Sequence, residues 1–169
     1  MGTIGISIAV PEPLAEHLRD ARRRAGDTRA DAIPPHVTLM PPTEVPDNDR
    51  EALDTHLAAV AARHRAFSLL LRGTGSFRPT SDVVFVAIAE GISACERIEC
   101  DVRTGPVTRS LQFPYHPHVT IAHDAPAEGL DQVFQELAGF EARFIVDGFD
   151  LYEQGRDDVW RPVRRFAFQ

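Results

Sequence analysis

The chain contains no lysine, and all 18 of its basic residues are arginine. That absence removes whole classes of chemistry. A P-loop needs its lysine, a Schiff base needs a lysyl amine, and ATP-driven ligation through a lysyl adenylate needs the same nitrogen. Cysteine is almost as scarce, with Cys95 and Cys100 the only two. They fall in a segment of helical character, five residues apart and so on different faces, with no metal-binding or redox spacing. Both are read as reduced thiols that pack like small apolar groups. No apolar stretch approaches the roughly 20 residues that span a bilayer. The N-terminus has no basic leader ahead of its apolar run, and Ile6 stands where a myristoylation signal after Gly2 carries Ser or Thr. A cytoplasmic location without membrane attachment is expected.

Positive charge is in deficit as well: 25 acidic residues face 18 basic ones, for a formal net charge of -7. Such a balance argues against a basic surface that wraps a long nucleic-acid tract, and it suits a small ligand or one end of an RNA. What is present is enough for a core. A chain of 169 residues with 43% hydrophobic content can form one domain over 1–169, expected as a monomer, without disulfide or metal staples.

Residues 3–10 are β-branched and partly alternating, which predicts a strand that Pro11 and Pro13 end before a helix carrying Leu14 and Leu18 and stopping at Gly26. A short strand is expected at His36–Met40, a helix at Asp49–His64, a strand from Phe67 toward Phe77, and a strand at Asp82–Ala89. The order then returns, with a helix at Ile92–Val102, a strand at His118–Ile121 and a helix near Pro126–Ala138. Strands at Arg143–Tyr152 and Val159–Phe168 close the chain. The repetition implies duplicated halves, roughly 1–80 and 81–169. The expected fold class is α+β and bilobal, with two mostly antiparallel sheets flanking a central cleft and helices outside. Loops 40–48 and 103–116 are the expected rims of that cleft.

Within the repeat, His36-Val37-Thr38-Leu39 corresponds to His118-Val119-Thr120-Ile121. Residues two apart in a strand point to the same face, roughly 6.5 to 7 Å from each other. Each strand therefore offers an imidazole and a hydroxyl to one side and aliphatic side chains to the other. One His-x-Thr is weak evidence, since seven histidines and ten threonines produce about 0.4 matches by chance. Two copies at matching places in a repeat, each preceded by proline, carry much more weight.

These residues resemble the paired motifs of the 2H phosphoesterase superfamily, and His116-Pro117-His118-Val119-Thr120 resembles the second motif of its bacterial 2'-5' RNA ligase-like branch. Repeat order and length agree over nearly the whole chain. The resemblance implies a water-filled groove between the motifs and no cofactor or metal. It implies as substrates the 2',3'-cyclic phosphates of nucleotides or RNA ends; related members open cyclic phosphates derived from ADP-ribose. His36, Thr38, His118 and Thr120 are then the expected catalytic residues. The chemistry accounts for two of each: opening a cyclic diester needs a base for water and an acid for the departing ribose oxygen. Histidine titrates near neutrality, and the threonine hydroxyls can donate to phosphate oxygens. The resemblance implies a 2'-phosphate product, and which histidine is base and which acid stays open. Many members carry an arginine five residues after the second histidine, where this chain has His123.

Around that centre, Arg78 in Ser76-Phe77-Arg78-Pro79 could restore positive charge, with a solvated surface role as the alternative. His123 could touch substrate, while Phe77, Phe113 and Tyr115 could stack on a base or simply pack. His116, His118 and His123 form a rival zinc-binding set, although Pro117 interrupts it and His36 is left unexplained. A non-catalytic module that binds a nucleotide or RNA end, and ATP-independent ligation by the same groups, are the further alternatives. His17, His56 and His64 are expected at helix surfaces.

Overall fold

Eight strands and four helices make up the computed structural model, which describes residues 1–169. In chain order they are β1 (Gly2–Ala9), α1 (Leu14–Arg24), β2 (His36–Val45), α2 (Arg50–Arg63), β3 (Phe67–Ser76) and β4 (Val83–Glu90). Then come α3 (Ile92–Arg103), β5 (His118–His123), α4 (Ala127–Glu136), β6 (Glu141–Val146), β7 (Gly148–Gln154) and β8 (Trp160–Ala167). The α+β class follows the two periodicities of the sequence. No helix is long and apolar enough to cross a membrane. Both cysteines are free, Cys95 buried and Cys100 exposed, and burial pushes the Cys95 thiol up to about 12.

The expectation of two sheets is corrected. All eight strands belong to one antiparallel sheet in the order β6-β3-β4-β5-β2-β1-β7-β8. Its two four-stranded halves are joined where β2 pairs with β5 at a single position, Val37 opposite Val119. Pattern alone reveals which strands exist, but not whether the edges of two half-sheets close on each other, because that depends on a few long-range backbone bonds. A second correction has the same root. The strand expected over Arg143–Tyr152 is β6 and β7, separated at Asp147. The first pairs with β3 at one margin and the second with β1 toward the other. Only one residue separates β6, at one end of the order, from β7, next to the other end, so the sheet must curl to bring its margins together.

β2 runs to Val45, through residues expected as a rim loop, even though it contains Pro41 and Pro42. Proline cannot donate to a ladder and is tolerated at bulges. The β1–β2 register slips there: Ile4 faces Thr43 while Ile6 faces Met40, leaving the two prolines opposite Gly5.

The helices place one face each in a common core. Ala15, Leu18, Ala21 and Arg22 are the buried positions of α1, and Leu53, Leu57, Val60 and Ala61 those of α2. α1 ends at Gly26, whose φ of 86° is left-handed and inexpensive for glycine. The Gly26 N–H bonds to the Arg23 carbonyl and the Asp27 N–H to the Arg22 carbonyl, the paired bonds of a Schellman cap. This turn folds Asp27 back onto the helix. His56 and His64 are half-buried rather than surface residues: His56 Nε2 donates to the Asp101 carbonyl at 3.0 Å and His64 Nε2 lies 2.9 Å from Asp101 Oδ2, tying α2 to α3. His17 is exposed and stacks on Phe140.

Close approach sets one further residue. A Cβ on Gly129 of α4 would overlap the Ala25 carbonyl oxygen at the end of α1. Gly129→Ala should lose about 1–3 kcal/mol by overpacking, despite the gain of up to about 1 kcal/mol expected from alanine in a helix. Urea unfolding measures the difference, and a stabilised variant would contradict the packing argument.

Candidate active site

Val37 and Val119 are each fully buried and are the partners at which β2 meets β5. Their neighbours in each strand face the opposite side of the sheet. Continued by one residue each way, the antiparallel register sets His36 across from Thr120 and Thr38 across from His118. All four side chains thus converge on one surface at the seam of the sheet. β1 and β4 extend this surface, with Ser7 beside Thr38 and Phe85 beside Thr120.

The two imidazoles are held alike. His36 Nδ1 lies 2.6 Å from the Pro34 carbonyl oxygen, and His118 Nδ1 lies 2.6 Å from that of His116. A carbonyl only accepts, so each Nδ1 carries the hydrogen and each Nε2 is left for the groove. The prolines between, Pro35 and Pro117, are both buried and hold the extended backbone that aims each carbonyl at the ring two residues on. Burial lowers the pKa of both histidines. For His36 the nearby Arg22 charge adds to the effect, and for His118 the neighbouring His116 and His36 do, while the carbonyl bonds oppose it. Both rings are therefore held neutral in the free site near pH 7.

Thr38 stands between two cavities. One, of about 190 Å³, is lined by His36, Thr38, Thr120, His123, Arg22 and Ser7, with Tyr152 and Trp160 in its wall. The other, of about 580 Å³, is lined by Thr38, His118, Phe77, Arg109, Phe113 and Tyr115 among others. Arg109 ties the loop over the second cavity to β2 by donating to the Pro42 carbonyl.

Residues expected around the centre divide into several kinds. Phe77 lies edge-on to His118 at 5.0 Å between ring centroids and packs on Phe85 at 4.6 Å, so it braces a histidine. Tyr115 lines the larger cavity, but its hydroxyl donates to the Thr38 carbonyl at 2.7 Å. Phe113 is the exposed aromatic of that cavity. Arg78 lines neither cavity, and its guanidinium bonds to Ser76 and to Asp131 at 2.7 Å. His123 reaches the smaller cavity because β5 carries a bulge. Val84 faces Ala122 whereas Phe85 faces Thr120, so Ile121 is the extra residue and the alternation resets. His116 and His118 lie together on the Phe77 and Phe85 side while His123 opens to the other cavity, so the three do not converge as ligands.

Arg22 and its partner Asp27 escaped the sequence reading. Arg22 is 5% exposed and lines the smaller cavity, and its Nε donates to Asp27 Oδ2 at 2.7 Å. A signal existed: Arg22 lies four residues after Leu18 and seven after Ala15, on the apolar face of α1. The run Arg22-Arg23-Arg24 concealed it.

The family model described as 2'-5' RNA ligase superfamily matches residues 10–158 of this chain. A Geobacillus kaustophilus protein named as a phosphoesterase is 27% identical over 164 residues, covering 96% of this chain and 94% of that one. Among solved structures, E. coli LigT complexed with NADP+ superposes with a TM-score of 0.71 at 21% identity, covering 99% of this chain and 98% of that chain. LigT complexed with 3'-AMP superposes at 0.67, with the same identity and coverage. The structural likenesses establish the fold.

The depressed histidines set a stability profile. A group with a folded pKa below its unfolded value, 6.5 for histidine, contributes stability that is complete above that value and is lost as pH falls below it. Wild type should therefore lose more stability between pH 7.5 and 5 than His36→Gln/His118→Gln, as read by urea unfolding at each pH. Parallel profiles would show that burial does not depress these pKa values.

Proposed function

As this chain belongs to the 2'-5' RNA ligase superfamily of 2H phosphoesterases, we propose that it is a metal-independent cyclic phosphodiesterase that opens 2',3'-cyclic phosphates of nucleotides or RNA ends. The observation that carries this reading is the Val37–Val119 pairing. It brings two imidazoles, each with Nδ1 committed to a carbonyl and Nε2 free, together with two hydroxyls.

In this reading the cyclic phosphate sits over the seam with one histidine on each side. One Nε2 takes a proton from water as the water oxygen bonds to phosphorus. The other, as imidazolium, gives its proton to the ribose 3' oxygen as the P–O3' bond breaks, leaving a 2'-phosphate. The free site holds both rings neutral, so the second proton arrives with the anionic substrate, whose charge favours the imidazolium. Thr38 and Thr120 donate to the non-bridging oxygens where negative charge grows. Acid, base and oxyanion contacts are all supplied by side chains of β2 and β5. The nucleoside has two cavities of unequal size to choose between, and the larger, with exposed Phe113, can take a base or the next nucleotide of an RNA end.

His36→Ala and His118→Ala should each lower kcat by about 10²–10⁴-fold, the usual worth of a positioned acid or base, with circular dichroism unchanged. The decisive measurement is hydrolysis of 2',3'-cyclic AMP, and of a short RNA ending in a 2',3'-cyclic phosphate, in excess EDTA. Opening that survives the chelator and vanishes in His36→Ala/His118→Ala supports the mechanism. Full activity in either single variant would overturn it.

A further inference from the structure

We propose that Arg22 is the anion-binding residue of this site, presenting its terminal nitrogens to a non-bridging oxygen of the phosphate in the smaller cavity; the phosphate as ligand rests on the function proposed above.

The argument begins with what holds the side chain. Arg22 sits on the apolar face of α1 beside Ala15, Leu18 and Ala21. A charge there is costly unless paired. Asp27, with its side chain 1% exposed, supplies the pairing after the Gly26 turn brings it back. Its Oδ2 takes the Arg22 Nε–H at 2.7 Å and the His123 backbone N–H at 2.9 Å, and its Oδ1 takes the Arg29 backbone N–H at 2.8 Å. These four groups lock the guanidinium plane to the end of β5. Nη1 and Nη2 bond to no protein atom, and no buried side-chain nitrogen lacks a partner. The terminal nitrogens therefore reach the solvent of the cavity that Arg22 lines with His36, Thr38 and Thr120.

An arginine serving the fold alone would spend its donors on carbonyls or carboxylates, as Arg143 does with both oxygens of Glu90. Arg22 instead keeps free the two nitrogens whose fork suits a phosphate. It is also the only arginine lining that cavity, where His36 is held neutral, and Arg109 belongs to the other cavity. With both catalytic imidazoles uncharged in the free site, a phosphodiester anion entering the cavity finds Arg22 as its charge partner. Arg22 also lies close enough to lower the pKa of His36, so its charge is felt where the acid–base chemistry occurs.

Inorganic phosphate is the ligand to use, with its binding followed by titration calorimetry at pH 7.5 and fixed ionic strength. Wild type, Arg22→Lys, Arg22→Met and Arg22→Met/Asp27→Asn are compared, the last because it removes the carboxylate that Arg22→Met leaves buried without its counter-ion. Phosphate should bind wild type, compete with 2',3'-cyclic AMP, and weaken at least tenfold in both Met variants, with a smaller loss in Arg22→Lys. In turnover, KM should rise more than kcat falls, and the limb of the pH profile set by His36 should move to higher pH when the Arg22 charge is gone and return in Arg22→Lys. Unchanged phosphate affinity in a Met variant with native circular dichroism overturns the proposal, as does a wild type that does not bind phosphate at millimolar concentration. Phosphate binding that depends on Arg22 in a protein that opens no cyclic phosphate leaves this assignment standing and removes the hydrolytic one.

Discussion

A single antiparallel contact, Val37 against Val119, joins the two halves of the sheet, and the arrangement of the site depends on it. Five registered pairs hold β4 to β5 and seven hold β1 to β2, so each half is secured on its own while the seam between them is thin. That thinness is useful. Bulges in β1–β2 and β4–β5 let the strands diverge beside the seam, and the groove opens where the ladder stops. The valines fill the core side, so the residues on either side of them have no choice but to face the groove. Sliding the seam by one residue would turn every one of these side chains to the other face.

Electrostatics in the groove follow from that burial. Imidazoles placed in a poorly solvated seam lose their protons more readily than in water, and the Nδ1–carbonyl bonds orient them so that one nitrogen of each is available. The free protein thus holds two neutral imidazoles, each with Nε2 open to the groove. Aromatic contacts to His118 from Phe77 and Phe85 and the Tyr115 bond to the backbone of Thr38 stiffen the larger cavity from outside the motif strands. Residues that look like base-stacking candidates in sequence are largely occupied with holding the centre in place.

Two adjacent arginines show how differently the same residue type is used. Arg23 is 41% exposed in its side chain and pairs with Glu16, Asp20 and Asp31; pairs of this kind contribute little in water. Arg22, one residue earlier, is rotated by about 100° around the helix into the protein, where its partner is buried and its geometry is fixed. The net charge of -7 therefore says nothing about the sign of charge inside the smaller cavity.

The sequence by itself determined the family, the paired His-x-Thr motifs and most of the elements. Strand and helix periods were legible because each element buries one face, and the His-x-Thr pairs stood out because a two-residue period puts imidazole and hydroxyl on one side. Gly26 was readable as a helix end because its left-handed conformation suits only glycine there. Tertiary structure alone decided that the halves share one sheet, that β6 and β7 part at Asp147, and that Arg78 pairs with Asp131 while Arg22 enters the cavity. Each of these depends on contacts between residues far apart in the chain. Local pattern records which face a residue takes on its own element, whereas what stands opposite that face is set by how the whole chain closes.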